Sequence, residues 1–435
     1  MRAPYRLLRS ALACALLAGA AVASAGCAAE EEPALVVLGP WTDGEEEPFK
    51  KTLEKIGERT GRHYVYKGTR SLRETLVAQL RTDAPPDVAI LSGPGELAQY
   101  ALDGDAQPLP PYMDGAAIGP WAPRFAVKED GRQAQERAYW VPVRVDLKSL
   151  VWSRAGEEEA TAEDAVWCLG MASGPTSGWP GTDWIEDLLL QRQGYEMYER
   201  WATGNLEWNG EVVKQAWRDW AAVLATDDER NAVAALSTPF ENLGGGDFGL
   251  LNTGDCTREH QGSFIRRHYG LDVTPAPTSD FVEGLPTDRS VFEVSGDMAA
   301  VFKPSEAAWK LVLELTSPKA QADWIKAAAP GERPYFPTGT TGTPDTAAPT
   351  GASAAVLRMF QGAEQICLDA SDAMPSTLRG AFQRAVLEFL ENPQDPDLLD
   401  GLTDQLEAER LLQDAAGAFV LDDLCDVPPG GSSGG

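Results

Sequence analysis

Positive charge is scarce in this chain. Its 435 residues include 37 lysines and arginines against 66 aspartates and glutamates, a formal net charge of −29, and no stretch clusters the basic residues. A nucleic-acid-binding surface needs clustered Lys and Arg to neutralise phosphates. The sequence therefore excludes nucleic acid as a partner, and we expect the acidic surface to keep the protein soluble.

Metal-ligand and catalytic patterns are also lacking. The three histidines, His63, His260 and His268, share no ligand spacing, and the six cysteines include no Cys-x-x-Cys pair of the kind that holds structural zinc. The triplet at 247–249 matches the kinase Asp-Phe-Gly motif, but the other kinase motifs are missing. The sequence predicts no metal, no cofactor and no catalytic residue.

The chain has one long apolar run, at its start. Arg2, Arg6 and Arg9 precede an Ala/Leu-rich stretch over 11–23, which is typical of a secretory signal and too short for a permanent membrane span. The stretch ends in Ser-Ala-Gly-Cys27, which resembles a bacterial lipobox although Ser24 stands where Leu is usual. We predict a signal peptide over 1–26, lipidation of Cys27 and a tether over 27–33.

Four further cysteines follow the signal. They are Cys168, Cys256, Cys367 and Cys425. An even number in an exported protein predicts two disulfides. Four cysteines allow three pairings, and the spacing does not choose among them.

Strands and helices alternate in the first hundred residues after the signal. Apolar runs at 34–39, 63–66 and 87–91 predict buried strands, and the segments between them have helical periodicity. Gly61 predicts the end of the first helix, and Ser71 with Glu74 predicts a capping box for the second. This order indicates a doubly wound α/β sheet, whose ligands bind beyond the carboxyl ends of the strands.

Tryptophan is concentrated in the middle of the chain, where nine of the thirteen lie between residues 140 and 220. Trp152, Trp217 and Trp220 recur at strand or helix spacing beside apolar residues, so we expect them in the core. Trp179 and Trp184 stand among carboxylates in the segment 167–187. Such a segment suits a polar ligand with one apolar face.

Several motifs in order resemble one family across nearly the whole chain after the signal. They are Gly39–Phe49, Pro85–Ile90, Gly93–Gly95, Val145–Trp152, Trp167–Gly170, Ser177–Asp187, Gly262–Phe264 and Asp369–Pro375. Together they resemble the extracellular solute-binding proteins, family 1, of ABC importers, in the maltose-binding-like group and its α-glucoside type.

The resemblance implies a fold of two α/β lobes, the type II periplasmic binding-protein fold. The N-terminal lobe takes 34–142 and 277–336, the C-terminal lobe takes 143–276 and 337–425, and residues 426–435 form a disordered tail. The chain then crosses between the lobes near 141–145, 274–277 and 335–338. We also expect the disulfides Cys168–Cys256, in cleft-side segments of the C-terminal lobe, and Cys367–Cys425, which pins the tail.

The resemblance also implies which side chains face the cleft between the lobes. These are Trp41, Thr42, Glu45, Arg70, Gly93, Gly95, Asp146, Lys148, Trp179, Asp183, Trp184, Phe264 and Asp372. Carboxylates accept hydrogen bonds from sugar hydroxyls, Arg and Lys donate to them, and aromatic rings cover the C–H faces. Trp179 is expected in a Gly-Trp-Pro loop, where no periodicity requires its burial.

The implied function is that of a receptor rather than an enzyme. It captures a sugar, an oligosaccharide or α-glucoside, and delivers it to permease subunits, as a lipid-anchored monomer on the extracellular face of a bacterial, Gram-positive, plasma membrane. Alternatives are a polar non-sugar ligand, an adhesive lipoprotein, or a secreted glycosidase with Asp146 and Asp183 as its carboxylates. Glu45 or Asp372 could instead cap a helix, and Arg70 could be a solvated turn residue.

Overall fold

The computed structural model describes residues 33–127, 135–154, 156, 165–225, 229–241, 249–269, 272–338 and 349–428. The predicted signal peptide, Cys27 and most of the predicted tail lie outside these residues. Asp426, assigned above to the tail, belongs to a strand. No helix in the described part of the chain is long and apolar enough to span a membrane.

The predicted alternation of strands and helices is confirmed at the start of the chain. The elements are β1 (Leu35–Gly39), α1 (Glu47–Thr60), β2 (Tyr64–Gly68), α2 (Leu72–Arg81), β3 (Val88–Leu91) and α3 (Pro94–Leu102). β1 pairs in parallel with both β2 and β3. The loops after these strands therefore meet at one edge of the sheet.

Local sequence signals correctly predict the end of α1 but not the capping at the start of α2. Gly61 ends α1 in a left-handed conformation (φ 66°), and its N–H donates to the carbonyl of Gly57. Ser71 precedes α2 as predicted, but its side chain makes no capping hydrogen bond with any described residue. The predicted capping box is therefore wrong, because Ser71 (φ −97°, ψ 53°) lacks the extended backbone that a capping serine adopts.

Two long strands of the main sheet pair with each other in antiparallel orientation. They are β6 (Trp140–Leu147) and β11 (Val291–Val301). β11 pairs with β3 through Met298–Val301 and in parallel with β12 (Gln365–Leu368) through Val291–Val294. β6 pairs with β11 on both sides of a bulge at Asp297/Met298, which interrupts their register. The sheet is completed by β13 (Cys425–Asp426), which pairs with β12.

A second sheet lies apart from the first. Its order is β10 (Val273–Pro277), β7 (Leu150–Arg154), β9 (Arg258–His260) and β8 (Trp167–Cys168). The predicted crossing at 274–277 falls on β10, which pairs antiparallel with β7 inside this sheet. β4 (Phe125–Ala126) and β5 (Glu136–Arg137) form a separate short pair.

The remaining helices of the described residues cover these sheets. They are α4 (Trp179–Gln193), α5 (Tyr195–Ala202), α6 (Glu211–Ala225), α7 (Glu229–Ala235), α8 (Glu306–Leu315), α9 (Pro318–Ala327), α10 (Gly351–Gly362), α11 (Ala370–Ala373), α12 (Ser376–Phe389) and α13 (Pro396–Ala415). α4 is central, because every residue from Pro180 to Gln191 is buried.

α4 begins at Trp179, so the prediction that Trp179 lies in a loop is wrong. Gly178 supplies the left-handed turn (φ 101°) before the helix, and Pro180 occupies its first turn. Proline is tolerated there because the first N–H groups of a helix have no partner inside the helix. The Gly-Trp-Pro sequence therefore starts a helix.

The three tryptophans predicted in the core and both disulfides are confirmed. Trp152, Trp217 and Trp220 are fully buried. Cys367 and Cys425 stand opposite each other on β12 and β13 and form a disulfide. Cys168 on β8 is bonded to Cys256, which lies just before the neighbouring strand β9.

Candidate ligand-binding cleft

A cavity of about 430 Å³ lies beyond the carboxyl ends of β1 and β2, facing β6 and the turn after β9. Five of the predicted ligand-binding residues line it: Thr42, Glu45, Arg70, Asp146 and Phe264. The cavity is also lined by residues that were not predicted. Most of these are charged or titratable: Asp43, Arg144, Glu241, Arg266, Arg267, His268, Glu332 and Arg333.

Glu45 is the carboxylate around which the cations of this cavity gather. It forms ion pairs with Arg267 and with Arg144 (3.4 Å), and Arg70 lies 3.8 Å away. Burial opposes ionisation, but Arg144 and Arg267 outweigh it and lower the pKa of Glu45 to about 2. Glu46 occupies the N-cap position of α1, so Glu45 does not hold the helix-capping position considered above.

Arg144 connects the cavity to the main sheet. Its Nε donates to Asp297 at 2.8 Å, and its guanidinium lies 5.0 Å from the centre of the Trp41 ring. Trp41 is only 2% exposed and packs against Phe49 and Trp324. The structure thus places Trp41 in the hydrophobic core, where it supports Arg144, and not on the cleft surface as predicted.

Asp146 occupies the floor of the cavity. It accepts a 2.7 Å bond from the hydroxyl of Ser263, which itself accepts a bond from the N–H of Leu147. Arg266 approaches Asp146 at 3.8 Å and lies over the ring of Tyr335. Ser263 and Arg266 therefore hold Asp146 in a fixed position.

A second charged group lies deeper, and we call it the Lys148 cluster: Lys148, Asp183, Glu186, Asp369 and Asp372. The ammonium of Lys148 is 2.8 Å from Asp183 and also pairs with Asp369. It lies 5.6 Å from the centre of the Trp179 ring. Lys148, Asp183 and Asp372 were predicted to face the cleft, but they are not among the described residues that line the cavity. Glu186 and the central role of Asp369 were missed.

The carboxyls of the Lys148 cluster differ in pKa because burial, nearby cations and neighbouring acids act on each of them to a different extent. Burial raises the pKa of Asp372 to about 8, and repulsion by Asp369 adds to this. Burial also raises the pKa of Asp183 to about 6, although Lys148 opposes the rise. For Asp369, Lys148 and hydrogen bonds overcome burial and lower the pKa to about 2.

Three oxygens of this cluster have a spacing that could hold a cation. Atoms of Asp183, Glu186 and Asp369 lie within 4.8 Å of one another. The ammonium of Lys148 already contacts two of these three carboxylates. The cluster therefore supplies its own cation, and its geometry does not favour a metal ion.

The two tryptophans of α4 have different surroundings. Trp179 is partly exposed and contacts Phe240 (4.7 Å between ring centres) and Phe264 (5.8 Å), which lines the cavity. Trp184 is 2% exposed and stacks on His260. Trp179 thus extends an aromatic wall beside the cleft, whereas Trp184 is a core residue and not the cleft residue that was predicted.

The predicted glycines Gly93 and Gly95 lie in a protein contact. A Cβ at Gly95 would overlap the carbonyl oxygen of Met374, and one at Gly93 would overlap the guanidinium of Arg379. Both partners belong to the region of α11 and α12. These glycines allow close approach between the start of α3 and those helices, so they do not face the cavity.

Residues 40–322 match the family model of bacterial extracellular solute-binding proteins. The chain belongs to this family. The chain is 28% identical over 405 residues to the alpha-glucosides-binding periplasmic protein AglE of Rhizobium meliloti (strain 1021), covering 85% of this chain and 86% of that one. It is also 28% identical over 411 residues to the osmoprotective compounds-binding protein GgtB of Synechocystis, covering 85% and 92%.

Solved structures share the fold at low sequence identity. A chitin oligosaccharide binding protein has a TM-score of 0.63 with 14% identity, and the match covers 88% of this chain and all of that one. At this identity the likeness shows the fold alone. The predicted mixed α/β, maltose-binding-like fold is therefore confirmed.

Proposed function

We propose that this chain is the receptor of an ABC importer and that it captures a sugar, an α-glucoside or a related oligosaccharide, in the 430 Å³ cleft. The observation that carries the proposal is the composition of the cleft wall, where carboxylates and arginines alternate beside aromatic rings. AglE, whose name states that it binds α-glucosides, is similar over most of its length.

The wall matches the chemistry of a sugar. Each hydroxyl donates one hydrogen bond and accepts others, so it pairs with a carboxylate and a guanidinium at once. Glu45, Asp146 and Arg144 supply such groups, already fixed by their neighbours. Phe264 and Trp179 supply apolar area for the C–H faces, worth about 25 cal/mol per Å² removed from water.

The proposal includes two lobes that close on the ligand by hinge motion. β11 pairs with β3 through one half of its length and with β12 through the other, β6 pairs along most of β11, and Val145 bridges to Tyr335. We therefore place the three crossings on β6, on β11 near its bulge, and near Tyr335, in place of the crossing expected at 274–277. Lipidation at Cys27, a Gram-positive origin, an extracellular location and a monomeric state remain parts of the proposal.

Tryptophan fluorescence with a library of mono- and oligosaccharides tests the proposed function. We expect a saturable response to at least one sugar, and a 10- to 100-fold loss of affinity in Asp146→Asn, because a hydrogen bond to a charged group contributes about 1.5–3 kcal/mol. Asp323→Asn is the matched control, since Asp323 pairs with Arg59 on α1.

Two results would contradict the proposal. A flat response to every sugar would favour the polar non-sugar ligand or the adhesive lipoprotein. Hydrolysis of nitrophenyl glycosides, abolished by Asp146→Asn, would favour the glycosidase.

A further inference from the structure

An ion-pair cluster crosses the mouth of the cleft. We call it the gate cluster: Glu45, Arg70, Glu241 and Arg267. Glu45 pairs with Arg267, Glu241 lies 3.7 Å from Arg267, and Arg70 lies 3.8 Å from both carboxylates. All four residues line the cavity.

The gate cluster joins segments that are far apart in the chain. Glu45 follows β1 and Arg70 follows β2, whereas Glu241 and Arg267 lie on either side of β9. In the proposed lobe arrangement the first two belong to the N-terminal lobe and the last two to the C-terminal lobe. Each arginine therefore contacts a carboxylate of the opposite lobe.

The exposure of the four side chains shows how far the gate cluster extends. The exposed fraction rises from 13% for Glu45, through 19% for Arg267 and 27% for Glu241, to 48% for Arg70. The ion pairs thus run from the interior of the cleft to the protein surface. A chain of sugar rings leaving the cleft on this side would have to break them.

The same lobes also touch at a second place. Glu96, in the first turn of α3, pairs with Arg379 of α12 at 3.1 Å, and both side chains are at most 16% exposed. Gly95 packs directly under the carbonyl of Met374. No room for a sugar ring remains between these backbone segments.

We propose that the gate cluster limits ligand length on its side of the cleft, so that the receptor takes a glycoside of one or two rings. The cavity of about 430 Å³ fits this size, because pockets for drug-sized ligands span about 300–1,000 Å³. This inference rests on the proposed function, since it concerns the sugar bound in the same cleft.

Titration calorimetry with three series of one to six rings, the α-1,4-, α-1,6- and β-1,4-glucosides, tests the inference. In the series that binds, we expect the affinity to be highest at one or two rings and at least 100-fold lower at four rings. A four-ring glycoside that binds within tenfold of the two-ring one would overturn the inference and leave the proposed function intact. Binding to none of these series, nor to the sugar library, would overturn both.

Opening the gate should change the length preference. In Arg70→Ala/Arg267→Ala, we expect the ratio of the four-ring to the two-ring dissociation constant to fall at least tenfold. The milder Glu241→Gln variant should also lower this ratio. It provides a second test in case the double variant does not fold. Lys55→Ala/Arg59→Ala removes two cations of α1 outside the cleft and should leave the ratio unchanged. An unchanged ratio in both gate variants would contradict the proposal.

Discussion

The Lys148 cluster and the gate cluster both join carboxylates to cations, but burial raises the pKa of some carboxyls in the first cluster only. In the Lys148 cluster, Lys148 pairs with Asp183 and Asp369, and Arg379 pairs with Asp372. Burial nevertheless raises the pKa values of Asp183 and Asp372, whereas the pKa of Asp369 is lowered. In the gate cluster, arginines match or outnumber the acids, and the pKa values of Glu45 and Glu241 are lowered. The balance between burial and the nearby charges therefore decides whether a buried carboxyl keeps its charge or takes a proton.

The largest effect that would test this comparison is expected from Lys148→Met. Loss of the ammonium leaves Asp183 and Asp369 buried without their cation, and breaking a buried ion pair costs about 3–5 kcal/mol of unfolding free energy. Urea denaturation at pH 7 measures the change. Lys55→Met is the control, because Lys55 forms an exposed pair with Glu58 and should change the free energy of unfolding little. Equal losses of unfolding free energy in the two variants would show that burial does not distinguish these lysines.

An intermediate effect, dependent on pH, is expected from Asp372→Asn. The pKa of Asp372 is raised to about 8, so between about pH 4 and 8 the folded protein keeps a proton that the unfolded chain releases. The free energy of unfolding therefore falls as the pH rises through this window, by up to about 1.4 kcal/mol per pH unit. Asp372→Asn should remove that slope in denaturation series at pH 5, 6, 7 and 8.

For Glu45→Gln we expect the opposite dependence of the free energy of unfolding on pH. The pKa of Glu45 is lowered to about 2, so its stabilising contribution is present above the ordinary pKa of 4.5 and is lost as the pH falls towards 2. The variant should therefore resemble the parent protein at low pH and be less stable at pH 7. Identical pH slopes in the parent and in Asp372→Asn would refute the difference between the two clusters.

The smallest effect on stability is expected from Arg267→Met. Arg144 still neutralises Glu45 in this variant, and partly exposed ion pairs contribute about 0–1 kcal/mol. Thermal unfolding should show a small shift while the ligand-length preference changes. A loss above about 3 kcal/mol would mean that the gate cluster is as important for stability as the Lys148 cluster.

The fold was predictable from sequence wherever local signals fix it. The strands and helices up to α3 follow from apolar runs, the Gly61 stop and strand spacing. The crossing expected at 274–277 stays a prediction, for which we propose β11 as the alternative position. Strand pairing is long-range, and the sequence of β10 does not indicate that it pairs with β7.

The candidate site was predictable in part. Thr42, Glu45, Asp146 and Phe264 were found because they lie in motifs that resemble the family, and Arg70 was found because it follows the second predicted strand. Trp41 and Trp184 were misassigned, since a tryptophan beside carboxylates has the same sequence pattern in a core as in a cleft. The missed Arg266 and Arg267 follow Phe264 by two and three residues, and this basic pair in an acidic chain was an available signal.

Because β13 lies at the edge of the main sheet and near residue 425, the sheet can be completed only late in synthesis. β12 acquires its outer neighbour only from residues 425–426, and the disulfide of Cys367 needs the last cysteine of the sequence. During synthesis the ribosome must therefore pass residue 425 before the seventh strand can be added to a sheet that begins at Leu35. Until then Cys367 lacks its native partner, so we expect truncation before Cys425 to leave one edge of the sheet unpaired in every copy made.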